Sequence, residues 1–450
     1  MEKVKQKIIS EYNATISFFS NNIDQLLAHE GFVRYFKNTG WLFAGKMFGM
    51  VMGFFVSVFV ARYLGPTQYG LLNYAISFAG LFGIFANLGI DSILSRELIK
   101  TPEKRDQLLG SGFIIKIVGS VIAITLIGIT LYIMKIDHLT GILILLFSLT
   151  FIFYSLGVID NYFQANVWAQ KTVKIQIISL IITNILKLIF IYYHFSIIWF
   201  VITYSVDTAI LVTGLVISYR KMGLSISKWK FDSSIIKMLL INSWTMILSG
   251  VAIVVYMKID QVMITNMIGN TANGIYAVAV KMSEVWYFIP GIICTSLFPA
   301  IVNAKKTDPI SYERRLIRLY SLMVYLSVSI AIFVSFFAGI IVSTLFGHEY
   351  LGAVSVLKIH IWAIVGVFLG IAVTQYLIAE NFTKIFFLIT LIGAISNVAL
   401  NLLLIPIFGI NGSAWATLFS YSMVTFSIIF FKKTRGQATL ILKSINIFSK

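Results

Sequence analysis

Six lysines fall inside long apolar stretches of this sequence: Lys46, Lys116, Lys187, Lys258, Lys281 and Lys358. An ammonium group in hydrocarbon costs at least ~2.5 kcal/mol even on mild insertion scales, so each one marks a snorkelling position or a place that needs positive charge. Lys116 and Lys358 lie near the ends of their stretches and suit snorkelling, whereas Lys46, Lys258 and Lys281 lie deeper. Intramembrane acids are fewer. Asp207 is set to reach Lys187 on the neighbouring stretch, as a structural ion pair or as a proton- or sodium-coupling pair. Glu284 is three residues from Lys281, a spacing that shares one helix face and would let it offset that lysine. Lys258 and Asp260 are two apart and point away from each other, which leaves Lys258 for a ligand. Buried lysines in excess of acids call for an anion, and an ammonium is a point-charge partner for phosphate. Trp41, Tyr74, Tyr256, Tyr276, Trp286 and Tyr287 accompany them as rings suited to sugar faces or to interfacial belts.

The elements that carry these residues are membrane helices. The 450 residues are 58% hydrophobic and 12% charged, about half the charge of a soluble domain. Apolar runs long enough for a ~30 Å hydrocarbon core recur about twelve times: 40–63, 70–95, 111–134, 139–165, 173–193, 196–219, 239–265, 273–302, 319–346, 354–379, 384–406 and 410–431. These are continuous runs, unlike the alternating strands of a barrel. The expected fold is an all-α integral membrane protein of about twelve transmembrane helices.

Net charge is +17, yet its distribution argues for topology and lipid head groups, not for nucleic acid. Apart from the six buried lysines, every Lys and Arg but Arg62 and Lys135 falls on one side, in alternate loops and at the two ends. The positive-inside rule then puts both termini in the cytoplasm of a cell-membrane protein.

A phrase occurs twice, LGPTQYG at Leu64–Gly70 and IGNTANG at Ile268–Gly274, with Gly65, Thr67 and Gly70 matching Gly269, Thr271 and Gly274 at a constant offset of 204. Six spans separate the copies, so the two halves read as six-helix lobes related as parallel repeats. Each copy joins the first two helices of a lobe, where its glycines suit a turn. A weaker match aligns Ala169–Ile175 with Ala379–Ile385 at offset 210. The expected division is a cytoplasmic amphipathic segment 1–38, a first lobe 39–219, a basic linker 220–238, a second lobe 239–432 and a cytoplasmic tail 433–450.

Other chemistries lack support. Gly65 and Gly70 are not followed by the Lys-Ser/Thr of a phosphate-binding loop. The five histidines make no zinc spacing, the single Cys294 allows no internal disulfide, and the short loops leave no room for an external active site. No catalytic residue, bound metal or cofactor is expected. Gly45, Gly49 and Gly53 suit close helix packing, and Pro290, Pro299 and Pro406 suit kinks or helix ends.

Several stretches resemble the polysaccharide repeat-unit (O-antigen type) flippases of the multidrug/oligosaccharidyl-lipid/polysaccharide exporter superfamily. They are Ala61–Ala75, Asn87–Leu98, Lys258–Ile264, Gly274–Pro290, Leu345–Tyr350 and Asn397–Thr417. The resemblance implies flipping of a polyprenyl-pyrophosphate-linked oligosaccharide through a cation-lined cavity between the lobes, fed by a proton or sodium gradient. Its implied partners are the lipid-linked oligosaccharide, membrane lipids and polysaccharide assembly proteins. Lys46, Arg62, Lys258 and Lys281 lie on helices that would line the cavity. Peptidoglycan-precursor flippases share the charge argument. A multidrug–cation antiporter should carry more buried acid, and a membrane-embedded glycan polymerase should carry a large outer loop.

Overall fold

The computed structural model describes residues 30–445; most of the segment expected to be amphipathic, residues 1–29, lies outside the described residues. Among these residues, eleven helical stretches are long and apolar enough to cross a membrane. The first makes two passes. Glu30–Asn87 is interrupted at Gly65, whose φ of 66° and ψ of 171° leave helical space, with Pro66 directly after it. The chain reverses there, because Asn38 accepts a hydrogen bond from the amide of Ala169 while Asp91, beyond the other end, is bonded by Asn161. Spans 1 and 2 are therefore the arms before and after Gly65, and the twelve spans form two lobes of six.

Span 3 is Arg105–Ile133, and span 4 is His138–Tyr154 continued by Val158–Ala165. Span 5 is Ala169–Tyr192, span 6 Ile197–Arg220 and span 7 Ser233–Met267. Span 8 is Asn270–Glu284 followed by Phe288–Thr307, and span 9 is Pro309–Phe346. Span 10 is Ala353–His360 with Ala363–Ala379, span 11 Thr383–Phe408 and span 12 Ile410–Phe426. The linker and the tail helix Arg435–Ile445 share one face of the bundle, called here the linker face; Gly65 and Gly269 lie on the opposite, motif face.

Sequence explains the local geometry. Span 7 starts where Asp232 accepts the amide hydrogens of Ser234 and Ile235, and span 9 starts where Asp308 does the same for Ile310 and Ser311. The glycines of span 1 let span 5 close in: Gly45 faces Val173 and Gly49 faces Leu180, while Gly53 opens onto empty space. The internal match at offset 210 is out of register by one helical turn. Ala169 opens span 5, but Ala379 closes span 10, and the residue opening span 11 is Thr383.

The linker is docked, not slack. Trp229 donates to the Tyr219 hydroxyl at 3.3 Å, the amide of Lys230 to the carbonyl of Asp106 at 3.0 Å, and Ser111 and Asp232 bond reciprocally at 3.2 Å. As a result the first turns of span 7, with Ile235 and Leu239 buried, join the first lobe's apolar cluster with Ile90, Leu94 and Leu109. The motif-side turns of the same helix, through Val262 and Ile264, join the main core that includes the second lobe.

Lys116 does not snorkel. Its side chain is 1% exposed and its Nζ lies 2.5 Å from Asp91 Oδ1. Asn161 and Asn87 donate to the same carboxylate at 2.9 and 2.7 Å. The sequence places Asp91 just past a backbone kink at Leu88 and Gly89, both at positive φ, and that kink turns the carboxylate back toward span 3. Removing one partner of such a pair strands a charge at about 3 kcal/mol or more, whereas removing both does not. Lys116→Met should therefore lower the melting temperature in detergent markedly, and Asp91→Asn added to it should restore most of the loss. Bonds from Ser234 hold Asp232 below the ordinary carboxylate range. Its capping of span 7 is complete at neutral pH and is lost as pH falls through that lowered value. Acid should thus loosen the linker, seen as faster proteolysis near residue 230, and Asp232→Ala should reproduce the effect at pH 7.

Candidate transport cavity and its charged residues

The two copies of the repeated phrase meet face to face. Thr67 Oγ1 and Thr271 Oγ1 are 2.8 Å apart, and Asn273 Nδ2 donates to the carbonyl of Gly70 at 2.8 Å. A methyl group on Gly70 would collide with the carbonyl oxygen of Asn270, and one on Gly274 with that of Pro66. Only glycine permits this approach. Gly65 and Gly269, both at positive φ, end spans 1 and 7 so that spans 2 and 8 begin side by side at the contact. Around it Tyr350 Oη donates to the Ala61 carbonyl at 2.7 Å and Ser77 Oγ to Gln261 Oε1 at 2.9 Å. The motif face is closed.

Toward the linker face, spans 1 and 8 separate. The turn Val285–Tyr287 breaks span 8, and Pro290, which has no amide hydrogen, sits in the first turn of the next helix. That second half packs against spans 9 and 10, while span 1 stays on span 5. The gap left between them has a volume of about 330 Å³, with Gly49, Gly53 and Phe54 facing Lys281 and Glu284. A second cavity of about 220 Å³ opens between spans 1, 2, 5 and 6 and is lined by Asn184, Lys187, Thr203, Tyr204 and Asp207. Lys281 borders both.

The charged residues are arranged differently from the expected pairing. Glu284 acts on Lys281 only through space; its contact is with Lys258, whose Nζ lies 3.5 Å from Glu284 Oε1. Spans 7 and 8 pack together, so a carboxylate reaches across to the neighbouring helix more directly than along its own. Lys258 is thus the paired lysine, and Lys281 is exposed to the cavity with no carboxylate within ion-pair distance among the described residues. Asp207 and Lys187 line one cavity but do not pair. Asp207 Oδ1 accepts Ser179 at 2.6 Å and Thr183 at 3.2 Å, whereas Lys187 Nζ lies 4.8 Å from the centre of the Tyr204 ring. Counted from the turn joining spans 5 and 6, the two side chains differ in depth by about five residues, or ~7 Å. Lys46 is exposed on the linker side of span 1. Arg62 is not brought to either cavity, since its Nη2 donates to the carbonyl of Thr344 at 2.6 Å beside the motif-face contact. Tyr74 and Tyr276 are fully buried and offer no sugar platform; Tyr256, Trp286 and Tyr287 remain partly exposed.

One polar cluster escaped the sequence reading. Asp260, 2% exposed, accepts a 2.5 Å hydrogen bond from Tyr276 Oη, which also contacts Thr417 Oγ1 at 3.3 Å. Asn397, Asn401 and Ser413 are fully buried nearby in sequence register on spans 11 and 12; Asn401 Oδ1 has no hydrogen-bond partner, and Ser413 stands beside the Tyr276 hydroxyl. Asp260, Asn401 and Thr417 each lie about eight residues, ~12 Å, from the motif-face end of their helices, and span 11 packs against both span 7 and span 12. These oxygens therefore share one level of the second lobe. The only signal in the sequence was polarity inside Asn397–Asn401 and Ser413–Thr417, each at the i, i+4 spacing of one helix face.

Comparison with known proteins fits this architecture. Residues 35–305 match the family model described as "Polysaccharide biosynthesis protein". The chain belongs to that family. Among curated relatives, a "Probable flippase AglR" of Haloferax volcanii is 27% identical over 180 residues, 37% of this chain and 36% of the relative, so the match spans about a third of that protein. An "Uncharacterized membrane protein MJ1068" of Methanocaldococcus jannaschii is 24% identical over 88% of this chain and 84% of its own length. Among solved structures, the lipid II flippase MurJ in an inward closed conformation superimposes with a TM-score of 0.66 at 19% identity, covering 89% of this chain and 90% of that one. An inward-facing multidrug resistance transporter of the MATE family and MOP superfamily gives 0.61 at 14%, covering 89% and 96%. This family member therefore has the two-lobe fold of that superfamily.

If the motif face opens during function, its glycines are a test. Thr67→Cys/Thr271→Cys should oxidise to a disulfide in a background whose one native cysteine, Cys294, is buried. Crosslinking should arrest transport, and a reductant should restore it. Gly70→Leu should shift labelling of motif-face positions toward the open state without unfolding the protein.

Proposed function

We propose that this protein is a flippase that carries a polyprenyl-pyrophosphate-linked oligosaccharide repeat unit from the cytoplasmic to the outer leaflet by alternating access. In this reading the linker face is cytoplasmic, as the excess of Lys and Arg on that side suggests. The conformation described is then closed outward and open inward. The observation that carries the reading is Lys281: an exposed, unpaired ammonium deep in the bundle, bordering a gap between spans 1 and 8. Such a lateral gap lets a lipid tail stay in the bilayer while its charged head enters the cavity. Lys281 and Lys46 meet the diphosphate, and the Lys258–Glu284 pair keeps the neighbouring wall neutral. The small exposed loops on the motif face suit release to a separate polymerising machinery.

Ion coupling has a candidate seat. The Asp260 level of the second lobe offers one carboxylate, the unpartnered Asn401 Oδ1 and the Tyr276, Ser413 and Thr417 hydroxyls. All are oxygen donors, the set that suits a proton or a sodium ion. Loading that seat would stabilise one packing of span 7 against spans 11 and 12, and so bias the lobes.

The test is flipping of a lipid-linked oligosaccharide in vesicles holding the purified protein. Lys281→Ala should cut the rate at least tenfold, while Lys258→Ala, which removes a paired charge, should cost less. Equal rates for wild type and Lys281→Ala would remove the cavity assignment. Asp260→Asn should abolish the acceleration by an imposed gradient while leaving slow downhill exchange, and comparing sodium and pH gradients identifies the ion. A peptidoglycan-precursor lipid run in parallel separates the main alternative, which the likeness to MurJ keeps in view.

A further inference from the structure

The cavity between spans 1, 2, 5 and 6 is a recess in the first lobe that adjoins the lateral gap, the two sharing Gly53 and Lys281. Two ammonium groups face it, Lys187 from span 5 and Lys281 from span 8, and the described residues place no carboxylate within ion-pair distance of either. Asp207 lies on the same wall, but its Oδ1 is taken by Ser179 and Thr183. The recess therefore carries one positive charge more than negative. The nearby carboxylates, Asp207 for Lys187 and Glu284 for Lys281, act only from beyond contact distance, so a direct anionic partner for the two ammonium groups is missing. A second group is also unsatisfied. Asn184 Nδ2, on a side chain 3% exposed, lines the recess and has no hydrogen-bond acceptor. Both deficits are for the same thing, an acceptor with negative charge.

We propose that this recess is a binding site for a phosphate-class oxyanion, held by Lys187 and Lys281 with the Asn184 amide as neutral donor. Three donors of this kind on two lobes fit an anion with several oxygens better than a halide or a lone carboxylate. About 220 Å³ is the share of roughly seven waters at ~30 Å³ each, room for a diphosphate with little water around it. Because Lys281 comes from the second lobe while the remaining lining belongs to the first, an anion in the recess bridges the lobes. Its source is either the diphosphate of a carrier lipid or free phosphate from solution; the first option rests on the flippase reading and the second does not.

Titration of the full-length protein in detergent with inorganic pyrophosphate, followed by calorimetry and by protection against thermal unfolding, tests the site. Saturable binding is expected for wild type, weakening as salt rises, and at least tenfold weaker for Lys187→Gln and Asn184→Leu. Lys187→Arg, which keeps the charge, should retain most of it, and Lys358→Gln, exposed at the far end of span 10, should leave it unchanged. Wild-type affinity in Lys187→Gln, or no saturable binding by wild type, would overturn the proposal; a variant that melts early is replaced by Asn184→Leu for the same comparison. Flipping then separates the sources. A loss in Lys187→Gln parallel to the loss of pyrophosphate binding assigns the site to the lipid diphosphate. Unchanged flipping with lost binding supports a site for free phosphate. Pyrophosphate binding by a wild-type protein that flips no lipid-linked saccharide retains the recess and overturns the function proposed above.

Discussion

Gly70 and Gly274 bring two helix backbones together with no side chain between them, and the position of the gap between spans 1 and 8 follows from that contact. Spans 2 and 8 are pinned at their first turns, so the lobes can part only toward the other face. There span 1 follows span 5, span 8 follows spans 9 and 10, and a cleft opens where the lysines stand. Hydrocarbon supplies no hydrophobic drive for two helices to associate, so close packing and hydrogen bonds must hold the seam. Thr67, Thr271, Asn273, Ser77 and Tyr350 provide those bonds.

Much of the architecture was legible because it is written in quantities that do not depend on rotation. Hydropathy gives length, charge gives sidedness, and the offset of 204 gives the repeat. What could not be read was the azimuth of each side chain. Arg62 ends span 1 and could have faced the cleft, but it turns to Thr344. Glu284 shares a face with Lys281 by spacing, yet a neighbouring helix offered Lys258 at 3.5 Å. Lys187 and Asp207 suit a pair across one hairpin, yet about five residues of depth separate them. The Asp260 level was invisible for a different reason: its members come from three helices far apart in sequence, and each looks like ordinary packing polarity alone. The repeated glycines were readable as turns, but their mutual contact was not, since a sequence repeat does not say whether its copies touch.

The charged groups divide by how they are compensated. Lys116 is satisfied within the first lobe by Asp91, Lys258 within the second by Glu284, and Arg62 by a carbonyl across the seam. Lys46, Lys187 and Lys281 line or border open space. Charge that a protein neutralises internally stabilises a shape, and charge left open is available to whatever enters. In the second lobe the compensated group is a carboxylate: Asp260 accepts from the Tyr276 hydroxyl and the Gln261 amide, with Asn401 Oδ1 left unpartnered at the same level.

Span 7 belongs to both lobes at once. Its opening turns are stapled to span 3 through Ser111 and Asp232, and its far turns are embedded in the second lobe. A rigid rocking of one lobe on the other would shear this helix, so the motion has to be taken up as bending along its middle. Gly250, which meets Ile84 of span 2, lies in that stretch. Residues 242–252, between the two anchorages, are thus the part of the helix that neither cluster holds at both ends, and strain between the lobes would concentrate there.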